Sequence, residues 1–141
     1  MGVDMEEEKL PKELLDKASV SKGGEHAWKR EDVPSVLQAA KAAHLACLGG
    51  QPQFQGPIGT AEPYWLSYNP GSRKAGESWE DYVIRSNDET LEAFNKRCVE
   101  TDFLKEAMSW KHIQEAVEKD VINPLDHLWF ILYFADNENE D

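Results

Sequence analysis

The sequence predicts a helix-rich α+β domain with a small antiparallel β-hairpin packed on helices. Three observations lead there. Apolar residues recur at helical spacing in three stretches, which begin near Val36, Trp79 and Phe103. Between the first two stretches lie short extended segments separated by a turn, Gly56-Pro-Ile-Gly. A chain of 141 residues with a hydrophobic fraction of 40% is long and apolar enough for one core.

Residues 1–22 are charged and read as a partly disordered acidic segment with one short helix. Pro11 suits a first turn there, and Leu10, Leu14 and Leu15 form a stripe. Gly23-Gly24 breaks the chain, and a single globular domain is expected over 23–135. Asp32 and Pro34 mark a helix start. Val36, Leu37, Ala40, Ala43, His44 and Cys47 continue it until Gly49-Gly50 stops it.

Gln51–Gln55 and Tyr64–Tyr68 are the two arms of the expected hairpin. Tyr64, Leu66 and Tyr68 alternate onto one face, with Trp65 on the other. Asn69-Pro-Gly-Ser is a turn. Ser78 caps a helix that carries Trp79, Tyr82, Val83, Leu91, Phe94 and Cys98. Its polar middle, Arg85-Ser-Asn-Asp-Glu, reads as a kink or a restart at Asn87. Thr101 or Asp102 caps a further helix through Phe103, Leu104, Met108, Trp110, Ile113 and Val117. Asn123-Pro124 is another cap-plus-first-turn pair. The run Leu128–Phe134 fits either a central strand or a buried helix, and that cap tips the reading to helix. Residues 136–141 read as a disordered acidic tail.

Charge narrows the function. The chain has 27 acidic and 15 basic residues, a net charge of −12. Direct nucleic-acid binding and anionic membranes are poor fits, because both demand clustered Lys and Arg. The imbalance is local: residues 77–141 hold 17 acids and 6 bases, whereas 21–76 hold 4 and 6. An acidic half suits either an electropositive protein partner or plain solvated helix faces. Glu80, Asp81, Asp88, Glu89 and Glu92 crowd one helix around Arg85. Like charges at helical spacing weaken a helix, which argues for some binding role here, although acids in a first turn suit the helix dipole and explain Glu80 and Asp81 without one. Trp65 is the aromatic candidate for the centre of such a contact.

No complete catalytic or metal signature is present, and no cofactor is expected. His44-x-x-Cys47 supplies two ligands where structural zinc needs four. Cys47 and Cys98 fall late in expected helices, where the dipole opposes a thiolate. His26 is assigned to a loop, His112 to solvent and Trp129 to the core. No secretory signal pattern opens the chain, and its longest apolar run is too short to span a bilayer, so a cytoplasmic protein is expected.

At Gly49-Gly-Gln-Pro-Gln-Phe, Tyr64-Trp-Leu-Ser-Tyr and Gly76-Glu-Ser-Trp-Glu-Asp-Tyr the chain resembles bacterial immunity proteins of polymorphic-toxin and contact-dependent inhibition systems. The resemblance covers about residues 45–95 and rests on order and spacing. It implies a cytosolic, non-enzymatic protein that binds and neutralises one cognate toxin, basic and possibly a nuclease. It assigns no contact residues. The partner-binding candidates therefore remain Glu80, Asp81, Asp88, Glu89, Glu92 and Trp65, chosen from charge and exposure. The alternatives are an acidic adaptor or regulator and, less favoured, a small enzyme using a carboxylate with His26 or His44.

Overall fold

The computed structural model describes residues 5–21, 23–56, 59–120 and 122–137. It contains β1 (Ser19–Val20), β2 (His26–Trp28), β3 (Ala46–Gly56), β4 (Gly59–Ala61) and β5 (Leu128–Ala135). These form one antiparallel sheet in the order β1-β2-β5-β3-β4. The helices are α1 (Lys12–Lys17), α2 (Val33–Ala42), α3 (Trp79–Glu100), α4 (Phe103–Met108) and α5 (Lys111–Asp120). The class is α+β as expected, with a five-stranded sheet in place of a hairpin.

The sheet grew because four segments outside the expected arms, β1, β2, β4 and β5, took strand positions. Leu128–Ala135 is the central strand, not a helix. Asn123 does cap, accepting the Leu125 N–H on Oδ1 at 3.1 Å, but the 3-10 turn it starts ends at His127. Beyond it, β2 and β3 flank the run and satisfy its backbone, while Leu128, Phe130, Leu132 and Phe134 alternate onto the buried core. Pairing on both sides outweighs a local capping signal. His26, assigned to a loop, lies in β2, where its ring stacks on Trp28.

α2 also stops earlier than its spacing suggests. His44 adopts φ 61, and the Leu45 N–H donates back to the Ala40 carbonyl at 2.9 Å. That left-handed residue ends the helix before Gly49-Gly50. Cys47 consequently belongs to β3, and His44 and Cys47 share no helix face.

The expected second hairpin arm is corrected too. Tyr64–Leu66 is a 3-10 turn, and β3 pairs instead with β4. Pro63, which has no N–H to donate to a ladder, immediately precedes that turn. Only Tyr68 regains the sheet among these residues, through a single bridge to Gly50.

α3 runs unbroken through its polar middle. Ser86, Asn87 and Thr90 are buried there. Asn87 Nδ2 donates to the Leu45 and Val83 carbonyls at 2.8 Å each, and Ser86 Oγ accepts the Cys47 N–H at 3.0 Å. The polar run is thus the face that receives the α2–β3 connection. Ser78 caps α3 as expected, accepting from the Asp81 N–H at 3.1 Å. Asp102 caps the next helix at 3.1 Å, but that helix splits into α4 and α5 at Ser109-Trp110.

One sheet face holds the core. Trp28, Phe54, Phe130 and Leu132 meet Val33, Val36, Leu37 and Ala40 of α2 and Phe94 of α3. Tyr68, Phe94, Phe103 and Phe130 form edge-to-face or tilted ring pairs with centroids 5.0–6.2 Å apart. Leu10 is buried in this core, and the Trp28 indole donates to the Leu14 carbonyl at 2.8 Å, so the N-terminal segment packs as well. Residues 138–141 of the expected acidic tail lie outside the described residues.

Candidate protein-binding surface

The sequence candidates separate into two regions along α3. Glu80 and Asp81 are exposed at its first turn, and Glu92 is exposed at mid-helix. Asp88 is occupied within the molecule, paired to Lys41 at 2.7 Å. Glu89 is occupied as well: its Oε1 takes Arg85 Nη1 at 2.9 Å and the Gly71 N–H at 2.8 Å.

Arg85 is the hub that uses this acidity. Its Nε meets Glu77 at 2.7 Å, and its Nη atoms donate to the Gly71 and Ser72 carbonyls at 3.3 and 3.0 Å. Its guanidinium lies 5.5 Å from the Tyr82 ring centroid. The arrangement ties the 69–78 loop to α3. Hydrogen bonding to Arg85 holds the Glu77 carboxyl down to about 2. Of the acids crowded on α3, Glu89 therefore answers this guanidinium and Asp88 answers Lys41.

Trp65 occupies the other region. The turn that carries it lies beside the C-terminal half of α3, where Arg97 Nη2 donates to the Ser67 carbonyl at 3.2 Å. Asp81 and Arg97 are about 24 Å apart along the helix at ~1.5 Å per residue. The first-turn acids and Trp65 therefore do not form one contact patch.

What does surround Trp65 is aromatic. Its ring stacks on Trp110 with centroids 6.1 Å apart and planes 9° from parallel. Tyr64 meets it edge-on at 5.2 Å, and Trp110 in turn meets His112 edge-on at 6.1 Å. Tyr64 is 72% exposed and Trp65 51%. Trp110 is fixed by its neighbour: Nε1 donates to Glu106 Oε2 at 3.3 Å. Beside this platform runs a groove of about 500 Å³ lined by Leu66, Arg97, Glu100, Asp102, Lys105 and Glu106, among others. Three of those six are acids and two are bases, and one of the bases, Arg97, is already bonded to Ser67.

Sequence reasoning placed Trp110 on a helix stripe and so missed it. It closes the break between α4 and α5, where its ring stacks on Trp65. His112, assigned to solvent, is half-buried beside it. Trp129, assigned to the core, is half-buried with Lys29 Nζ 4.4 Å from its ring centroid.

Other chemistry is poorly supplied. Burial pushes the Cys47 thiol up to about 11, the opposite of what a nucleophile requires, and burial also raises Cys98. Both cysteines are free. Among the described residues, no group of three or more His, Cys, Asp or Glu is placed to hold a metal ion, and no helix is long and apolar enough to cross a membrane.

Comparison with protein-family models, curated proteins and solved structures finds no match. The functional reading therefore rests on the surface itself.

Proposed function

We propose that this chain is a stoichiometric, non-enzymatic inhibitor of the immunity type. It binds a basic protein domain of toxin kind and blocks that domain's active site or an adjacent exosite. The observation that carries the reading is the exposed Tyr64–Trp65–Trp110 platform beside a partly acidic groove, in a chain of net charge −12. Stacked, pre-positioned indoles supply large contact area at low entropic cost, the property of interface hot spots. An arginine from a basic partner could lie on the Trp65 face while pairing with Glu100 or Glu106. Glu80, Asp81 and Glu92 contribute at longer range by steering the encounter.

The test is capture of the basic partner by tagged wild-type chain and by Trp65→Ala, followed by assay of the captured domain. The reading expects near-equal recovery with wild type, sharp loss with the variant, and inhibition complete at one equivalent. Equal recovery by the variant, or a bound domain whose activity is untouched, contradicts it.

A further inference from the structure

The sheet face turned away from the core carries a second candidate site, independent of the partner-binding surface. Cross-strand partners share a face. The register therefore groups Ser19 with Ala27, Ala27 with Ile131, Ile131 with Gln51, and Gln55 with Thr60. Gln53 and Tyr133 belong to the same side by alternation. A single sheet face thus presents Gln51, Gln53 and Gln55 in succession, with hydroxyls around them.

That face is concave. In the sheet order β1 and β3 are separated by β2 and β5. Three strand spacings of a flat sheet span about 14 Å. Yet Ser19 Oγ on β1 donates to Gln55 Oε1 on β3 at 2.6 Å. Only a rolled sheet brings those strands together, and the polar residues then line a trough.

The trough is already wired. Gln55 Nε2 donates to Gln53 Oε1 at 2.8 Å, and Gln53 Nε2 donates to Glu62 Oε1 at 3.3 Å. Gln51 Nε2 bonds Glu62 Oε2 and also the Tyr133 hydroxyl, which donates to Glu25 at 2.6 Å. Gln53 is only 5% exposed. Burying the Gln53 amide and half-burying those of Gln51 and Gln55 is costly unless each is partnered, and a face needed only for packing is met more simply by apolar residues. The network orients both amides at its open end, and among the described residues the second N–H of Gln53 and of Gln55 meets no acceptor.

At that end lies a cleft of about 380 Å³ lined by Ser19, Val20, Ser21, Gly23, Gln53, Gln55 and Thr60. Among the described residues of that lining, none carries a charged side chain. Its size falls within the ordinary range for small-ligand sites, about 300–1,000 Å³, and mouths of rolled sheets are common places for them. Hydroxyls and oriented amides offer donors and acceptors side by side. That mixture matches ligand hydroxyls, each of which donates and accepts at once.

We propose that this cleft binds a small neutral polyhydroxylated molecule of the sugar class. The test is two-dimensional NMR of the full chain titrated with glucose, N-acetylglucosamine and glycerol, with glucose 6-phosphate and glucosamine as charged comparisons. The inference expects saturable shifts of the Gln53 and Gln55 side-chain amides with at least one neutral probe and weaker responses to the charged ones. Ser19→Ala and Thr60→Val, both remote from the core, should each weaken that response by about threefold to tenfold, one hydrogen bond's worth. Their unchanged spectra elsewhere would certify folding. No saturable response to any neutral probe overturns the proposal. So does a response as strong to the charged probes, or one untouched by both substitutions.

Discussion

The indole of Trp65 lies 9° from parallel to that of Trp110, with ring centroids 6.1 Å apart, although 45 positions separate the two in sequence. The contact joins the turn after β4 to the break between α4 and α5 and leaves Trp65 51% exposed. Replacing Trp65 by Ala should cost under about 1 kcal/mol of stability, because the side chain is half exposed. The same change should weaken partner binding by about 2 kcal/mol or more, roughly thirtyfold. Denaturant melts beside titration calorimetry check the split. A stability loss equal to the binding loss would make the platform structural.

Long-range charge should act on rate. Glu80→Lys with Glu92→Lys reverses two exposed charges that make no ion pair among those described. Association should slow by about tenfold or more at low salt, with dissociation little changed. Stopped-flow association at two ionic strengths measures this. Asp88 and Glu89 are unsuitable for the same purpose, because their reversal also breaks the Lys41 and Arg85 contacts.

Arg85→Ala should release the 69–78 loop. The Glu77 carboxyl, held at about 2, should return toward its ordinary value of 4.5. A carboxyl whose folded value is depressed stabilises the fold above its unfolded value. That contribution fades as pH falls from about 4.5 through 2. Wild type should therefore lose stability over that window, and the variant should lose less. NMR titration of Glu77 together with melts across the window decide it.

At the alkaline end the sign reverses. Burial raises the Tyr68 hydroxyl well above its usual 10.0, and burial with the Glu25 hydrogen bond raises Tyr133. Tyrosines held neutral in the fold contribute fully below about pH 10, and the contribution is lost as pH rises beyond it. Tyr133→Phe should shrink the alkaline loss without abolishing it, since Tyr68 remains. At neutral pH it should cost about 1–3 kcal/mol by leaving Glu25 and Gln51 without a shared partner. Melts at neutral and alkaline pH test both parts.

Gly50 gives a sharp check on the sheet. A Cβ there would collide with the Ile131 carbonyl oxygen, part of the backbone of the central strand. Gly49 has φ 101, and a Cβ there would crowd Asn69. Gly50→Ala should destabilise by more than about 3 kcal/mol, a backbone clash in the core having no flexible side chain to yield. A mild effect would mean that the β3–β5 register is wrong.

The sequence carried the local signals well. Ser78, Asp102 and Asn123 all cap where their side chains imply, because a cap depends on residues three or fewer positions away. It failed where distant partners decide. Leu128–Phe134 is apolar enough for either structure, and only the flanking β2 and β3 make it a strand. His44 ends α2 in a left-handed conformation that the following glycines disguised. At the surface, Trp65 was legible only as a candidate contact residue on one hairpin face, and its stacking partner was not legible, since nothing local links positions 65 and 110. The acid cluster on α3 was legible as charge. That Arg85 and Lys41 consume part of it emerged only from the fold.

The most direct measurement is the stoichiometry of inhibition. Tagged wild-type chain and Trp65→Ala are used in parallel to capture basic domains at low and moderate salt, and the recovered domain is assayed for its own activity. The account predicts one basic domain in near-equal amount, binding that weakens with salt, activity abolished at one equivalent, and loss of all three with the variant. A wild-type chain that retains no such domain, or that binds one without silencing it, would contradict the account.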